Sequence, residues 1–399
     1  MDFNFSDEHK MVREMVREFA RKEIAPHIGD WDRAGHFERS TVEKMGETGI
    51  LGLCFPEKYG GGGLDYISMV IAAEEIEYAE TSFREYISVH TALTGLGILQ
   101  WGDQKQKKAF LTPIASGSKL AAFGLTEPNA GSDVAALETT ARRSGEEYEL
   151  NGAKAWITLG DNCDLVLVFA KTDTDAGHRG ISAFIVDAAS PGVHGEAIKG
   201  KMGVRAGSTG MMTFDGVKVP APNLLGQEGE GFRIAMSCLD NGRLTVAAGA
   251  CGLIRACIDA SVKYARERET FGRPIGQHQL VQQLIAHMVS GYEAAFLLTY
   301  RAAWLKNQGR RNTKETALAK WFATEAAWRA ADNAVQVHGA YGFSNEYPVE
   351  RFLRNARGAT IYEGTSQIQE IMQAEYALGY REDRPLRCEL PSWPFADEV

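Results

Sequence analysis

Positive charge is in deficit in this chain: 43 Lys and Arg stand against 52 Asp and Glu, a formal net charge of −9. That balance argues against nucleic acid or an anionic membrane surface as the main partner, although a local basic patch still suits a phosphorylated ligand. Cysteine is scarce as well, with six residues at Cys54, Cys163, Cys238, Cys251, Cys257 and Cys388. None has CxxC spacing and no metal-ligand cluster accompanies them, so a zinc or dithiol site is not expected and all six read as reduced. Long apolar runs are missing too. Gly, Asp or Arg interrupts each one before about eighteen residues, which leaves no expected membrane span. The opening Met1-Asp2-Phe3-Asn4-Phe5-Ser6-Asp7-Glu8 carries acids where a targeting peptide excludes them, so a cytoplasmic protein whose fold starts at once is expected. The run Tyr59-Gly60-Gly61-Gly62-Gly63 lacks the Lys-Ser/Thr of a phosphate loop and reads as a turn before a helix.

What is present is a large supply of core: 399 residues at 44% apolar content, enough for two or three domains. Met11, Val12, Met15, Val16 and Phe19 recur at helical spacing, and helical patterns continue to Ile114. From Ala121 to about Phe214 the pattern shifts to short β-rich runs, such as 148–150, 165–169 and 181–186, parted by Asn-Gly, Asp-Gly and Pro-Gly turns. Long helices then follow at 244–268, 279–307 and 313–338. The expected class is α+β, mostly α: a helical domain at 1–120, a β-barrel or sandwich at 121–230, a helical bundle at 231–380, and a tail at 381–399 packed on the surface or left mobile.

Glu363 lies in the run Ile361-Tyr362-Glu363-Gly364-Thr365-Ser366-Gln367-Ile368-Gln369. A carboxylate followed by glycine, threonine and a polar helix start is held rigidly with room for a ligand against its backbone, the layout a carbon-acid base needs. An acidic cap on a helix from about Ser366 is the plainer alternative. Three further runs accompany it: Leu125-Thr126-Glu127-Pro128-Asn129-Ala130-Gly131-Ser132-Asp133, Lys154-Ala155-Trp156-Ile157-Thr158 and Arg268-Glu269-Thr270-Phe271-Gly272-Arg273. Together the four resemble the acyl-CoA dehydrogenase family, over nearly the whole chain from about Phe3 to about Tyr380.

The resemblance implies α,β-dehydrogenation of an acyl-CoA thioester with FAD as hydride acceptor and an electron-transfer flavoprotein as the next acceptor. It implies Glu363 as α-proton base, with its backbone N–H on the thioester oxygen. Some relatives carry the base at the position of Gly242, which has no side chain to offer. Thr126 and Thr158 match flavin-bonding positions, Trp156 the flanking aromatic, and Ser132 a pyrophosphate contact that also borders the substrate. Arg268, Thr270, Phe271, Gln279 and Gln336 match positions that reach the FAD of a neighbouring subunit, so a homotetramer, a dimer of dimers, is implied. Gly339, Thr365 and Gln367 are assigned to the cofactor as well, although Ala340 stands where the family commonly has a second glycine. Tyr362, Gly364 and Arg243 are assigned to the substrate side, Arg243 as support for the geometry. The segment 82–90, with Arg84, is similar to the glutaryl-CoA dehydrogenase subgroup, in which an arginine binds a distal carboxylate. A dicarboxylic acyl-CoA, glutaryl- or benzylsuccinyl-like, is one expected substrate. The other is a neutral short or branched chain, with Arg84 paired to Glu80 or Glu85. An acyl-CoA oxidase and a catalytically silent flavoprotein scaffold are the remaining rivals. His338 reads as a structural imidazole.

Overall fold

The computed structural model describes residues 4–395. Helix α1 (Asp7–Phe19) starts where the Ser6 side chain accepts from His9 N, and it buries Val12, Val16 and Phe19. Met11 and Met15, expected on the same stripe, are instead 66% and 37% exposed. The glycine run is a turn, with Gly60 and Gly63 at positive φ, and Asp65 then caps α2 (Tyr66–Ala79) by accepting from Ser68 N. Helix α2 is buried nearly all round, acids included, so each acid needs a partner. Glu75 takes Arg255 at 2.7 Å and Arg17 at 3.1 Å. Helix α3 (Thr81–Tyr86) follows at once and is wholly buried.

The middle of the chain forms one eight-stranded sheet. Its strands are β1 (Ala121–Gly124), β2 (Thr140–Ser144), β3 (Glu147–Thr158), β4 (Leu165–Lys171), β5 (Ile181–Asp187), β6 (Val193–Ala197), β7 (Thr209–Pro220) and β8 (Leu224–Leu225). The order is β6-β7-β3-β2-β4-β5-β8, with β1 parallel to β4. Strand β3 pairs antiparallel with β7, and the register slips between Lys154 and Ile157. That bulge carries Trp156.

Helix α4 (Gly231–Glu267) has 37 residues and begins well before the expected Leu244. Its first turns mix Arg233, Ser237, Asp240, Asn241 and Arg243 with small residues, which hides the apolar period. Gly231 is needed there because a Cβ would come within 2.7 Å of the Ser182 backbone in β5. Among the described residues α4 is also the one helix long and apolar enough to cross a membrane by length and mean hydropathy, although Gly249, Gly252, Arg255 and Asp259 interrupt its apolar run as expected. Its most apolar window is 72% buried inside the protein, as a core helix is. A two-stranded ribbon, β9 (Glu269–Thr270) and β10 (Arg273–Pro274), leads into α5 (Gln279–Asn307) and α6 (Thr313–His338), both at the expected bounds. Helices α7 (Val349–Ala359) and α8 (Ser366–Leu378) complete the bundle.

Two apolar cores result. One joins the N-terminal helices, the sheet and the first half of α4; the other joins the rest of α4 to α5, α6 and α7. The part of the tail within the described residues is packed down: Tyr66 OH donates to Pro391 O at 2.9 Å and Trp393 Nε1 to Gly63 O at 3.0 Å. All six cysteines are free.

Candidate active site

Glu363 sits in the link between α7 and α8 with φ +54°, followed by Gly364 at φ +92°. A left-handed glutamate is strained, and the surroundings must hold it there. Arg243 Nε and Gln369 Nε2 donate to Glu363 O at 3.3 and 3.4 Å. Gln369 Nε2 and Lys320 Nζ donate to Gly364 O at 3.2 and 2.8 Å. With both carbonyls turned into this cage, the Glu363 N–H has no acceptor among the described residues and is free for a ligand oxygen. Thr365, not Glu363, caps α8, its side chain accepting from Ile368 N at 3.3 Å. The capping alternative for the carboxylate is therefore set aside.

The Glu363 residue is half-buried, and its side chain points its far oxygen inward. Its Oε2 is buried without a hydrogen-bond partner. Burial pushes the carboxyl up to about 7, against the opposing pull of Arg84, Lys320 and Arg243. A Cβ on Gly242 would overlap Glu363 Oε2 and lie 2.7 Å from Leu93 Cδ2. The carboxylate thus fills the space left by the missing side chain.

The second and third runs are joined by an ion pair that their spacing does not reveal. Lys154 Nζ meets Glu127 Oε1 at 2.7 Å and donates to Leu125 O at 3.2 Å, both side chains buried. Ala155 N donates to Thr126 O at 2.9 Å. The loop with Thr126 and exposed Ser132 is thereby fixed against the end of β3, where Thr158 is half-buried. Trp156 stands at φ +60° in the bulge and exposes 63% of its surface. A strained, exposed indole on a rigid strand fits the flat ring of a flavin.

Arg268 follows α4, exposed, with its guanidinium 5.9 Å from the Tyr341 ring. Phe271, at the tip of the β9–β10 ribbon, has φ +52° and is 96% exposed. Thr270 Oγ1 lies 3.4 Å from His278 Nε2. Gln279, Gln336 and Gln367 are exposed. Gly339 takes φ +60°, and a Cβ there would meet nothing, so its backbone angle rather than crowding asks for glycine. No hydrogen bond or salt bridge among the described residues ties this exposed group to Glu363. His338 stacks on Tyr264 at 4.3 Å, Nδ1 2.8 Å from Ala334 O, and burial holds its pKa down, a structural role.

Arg84 is fully buried, and its partner is neither Glu80 nor Glu85. Its Nε donates to Glu77, NH1 to Ser88 Oγ at 2.9 Å and NH2 to Tyr362 OH at 2.5 Å. Glu80 instead faces Arg351 at 3.0 Å and accepts from Asn355 at 2.8 Å. Glu85 is buried with Oε2 unpartnered, and burial raises its pKa. Sequence reading missed Glu77, Lys320 and Gln369. The signal for Lys320 was present: a lone lysine among Ala317, Ala319, Ala323 and Ala327, on the face that a helix buries.

Three family models match in order: the acyl-CoA dehydrogenase N-terminal domain over 6–118, the middle domain over 122–217 and the C-terminal domain over 229–378. The chain is 43% identical to an acyl-CoA dehydrogenase of Bacillus subtilis over 94% of its length and 99% of that protein. It is 41% identical to the glutaryl-CoA dehydrogenase of Desulfococcus multivorans, covering 96% and 99%. Butyryl-CoA dehydrogenase from Megasphaera elsdenii superposes with TM-score 0.93 at 39% identity, covering 95% and 100%. A structure described under the electron transferring flavoprotein of Acidaminococcus fermentans gives 0.94 at 44%, also covering 95% and 100%. A Mycobacterium smegmatis glutaryl-CoA dehydrogenase in complex with FADH2 gives 0.90 at 29%, covering 95% and 97%. The chain belongs to the acyl-CoA dehydrogenase family. It is an FAD-dependent oxidoreductase acting on CH–CH groups.

Proposed function

We propose that the chain oxidises an acyl-CoA thioester to its 2-enoyl-CoA, with Glu363 as the α-proton base. The observation that carries this is the Glu363 carboxyl itself: buried and unpartnered at Oε2, and lifted to about 7. An α proton is weakly acidic, and a base matched to neutral pH removes it best. The free Glu363 N–H would take the thioester oxygen as negative charge grows there. When bound, FAD accepts the β hydrogen as hydride. Thr126 and Thr158 would bond its ring, Trp156 would flank it, and Ser132, Thr365, Gln367 and Gly339 would border it. Arg268, Thr270, Phe271, Gln279 and Gln336 would serve the FAD of a second subunit in a homotetramer, a reading supported by the exposure of all but half-buried Thr270. An electron-transfer flavoprotein is the proposed next acceptor.

For the substrate we favour an acyl chain with a distal carboxylate. The NH1 and NH2 edge of Arg84 meets only the neutral hydroxyls of Ser88 and Tyr362, and Tyr362 adjoins the base, so a carboxylate can replace those weaker partners. A neutral short chain is the second reading, favoured by Glu77, which already balances the Arg84 charge. Anaerobic bleaching of the flavin by a panel of neutral and dicarboxylic thioesters separates the two. Glu363→Gln should retain FAD and bind thioester yet lower reduction by at least about a thousandfold. Undiminished reduction would place the base elsewhere.

A further inference from the structure

Lys320 is a buried charge beside the Glu363 turn. It lies on α6 with its side chain inaccessible to solvent. Among the described residues it has no salt-bridge partner, and its hydrogen bond goes to Gly364 O at 2.8 Å. The charged groups around it are Glu363 on the α7–α8 link, Arg243 on α4, Glu325 on its own helix and Arg84 on α3. Glu325 is already engaged by Ser366 Oγ at 2.7 Å. An ammonium buried without a carboxylate in contact is costly and persists where it does a job. Burial pulls Lys320 down and pushes Glu363 up, and each group's charge opposes the shift of the other.

We propose that Lys320 is a positioning residue for the base: its ammonium anchors the Gly364 carbonyl, which keeps the left-handed Glu363–Gly364 turn in place, and it favours the ionised carboxylate that takes the α proton. This rests on Glu363 being the base. Removing the positive charge makes the carboxylate harder to ionise, so the rising limb of activity moves to higher pH.

The test uses the FAD-loaded enzyme, with anaerobic flavin reduction and α-proton wash-out into D2O followed across pH. Lys320→Gln keeps an amide donor without the charge; Lys320→Met removes both. Each should raise the pH midpoint by about one unit and slow reduction at least about tenfold at pH 7, with KM little changed. Lys320→Met should also stay slow above its midpoint, because the turn has lost its anchor. An unmoved midpoint in a folded, flavin-loaded Lys320→Gln enzyme overturns the proposal, and that variant decides if Lys320→Met does not fold. Glu363→Gln run alongside separates the failures. If it still exchanges the α proton, the base assignment falls; if it is dead while Lys320→Gln keeps the wild-type midpoint, only the role of Lys320 falls.

Discussion

At the residue scale the site is a set of strained or unpartnered groups held by ordinary ones. Of the five non-glycine residues at positive φ among the described residues, three are Trp156, Phe271 and Glu363. Each was singled out from its motif, but the strain that distinguishes them is a tertiary fact. Gly242 yields a sharp expectation. Adding a methyl there places a Cβ on Glu363 Oε2, so Gly242→Ala should displace the carboxyl and cut flavin reduction at least about a hundredfold, with FAD content unchanged. Stopped-flow rates beside the visible flavin spectrum would show it; a wild-type rate would mean that the carboxyl rests elsewhere. Arg84→Met should weaken dicarboxylic thioesters selectively under the favoured substrate reading. Equal losses in kcat/KM for a neutral and a dicarboxylic chain would assign Arg84 to the scaffold with Glu77.

At the element scale the helical domain and the sheet meet through His90, which sequence inspection passed over inside the segment 82–90. Its ring lies between two backbones, with Nδ1 accepting from Ala121 N of β1 at 2.9 Å and Nε2 2.8 Å from Ile114 O. Burial lowers its pKa to about 4. The folded state therefore binds fewer protons than the unfolded chain between that value and the ordinary histidine range. Stability should fall as pH drops from about 6.5 to about 4, by up to about 3 kcal/mol from this group. His90→Gln, whose amide can meet both backbone groups, should flatten that slope in thermal melts. The Lys154–Glu127 pair joins elements in the same way. Glu127→Gln leaves a buried lysine without its acid and should cost about 3 kcal/mol, loosening the loop that bears Thr126. Element lengths were legible where a period persisted, as in α5 and α6. The start of α4 was not, because its first turns face the site and the tail and carry polar residues there.

At the scale of the whole molecule, exposed Arg268, Phe271, Gln279 and Gln336 and half-buried Thr270 are open to a partner outside the single chain. If that partner is the FAD of a second subunit, stripping the flavin should lower the melting temperature by several degrees and weaken the tetramer, since a ligand bound only to the folded assembly stabilises it by mass action. Arg268→Gln should then raise the FAD dissociation constant about tenfold or more. Analytical ultracentrifugation with flavin titration would read both effects. Flavin affinity unchanged by Arg268→Gln would confine that residue to its place over Tyr341.

The sequence alone determined the family, the order of helices, sheet and bundle, and the run that holds Glu363, because local period, turn residues and short motifs reside in neighbouring positions. Tertiary structure decided which groups meet: Arg84 with Glu77, Lys154 with Glu127, and Lys320 with Gly364. It also decided that Oε2 of Glu363 is buried without a hydrogen-bond partner. Those outcomes depend on burial and on contacts between residues far apart in the chain, and the energy of a charge is set by what surrounds it in space.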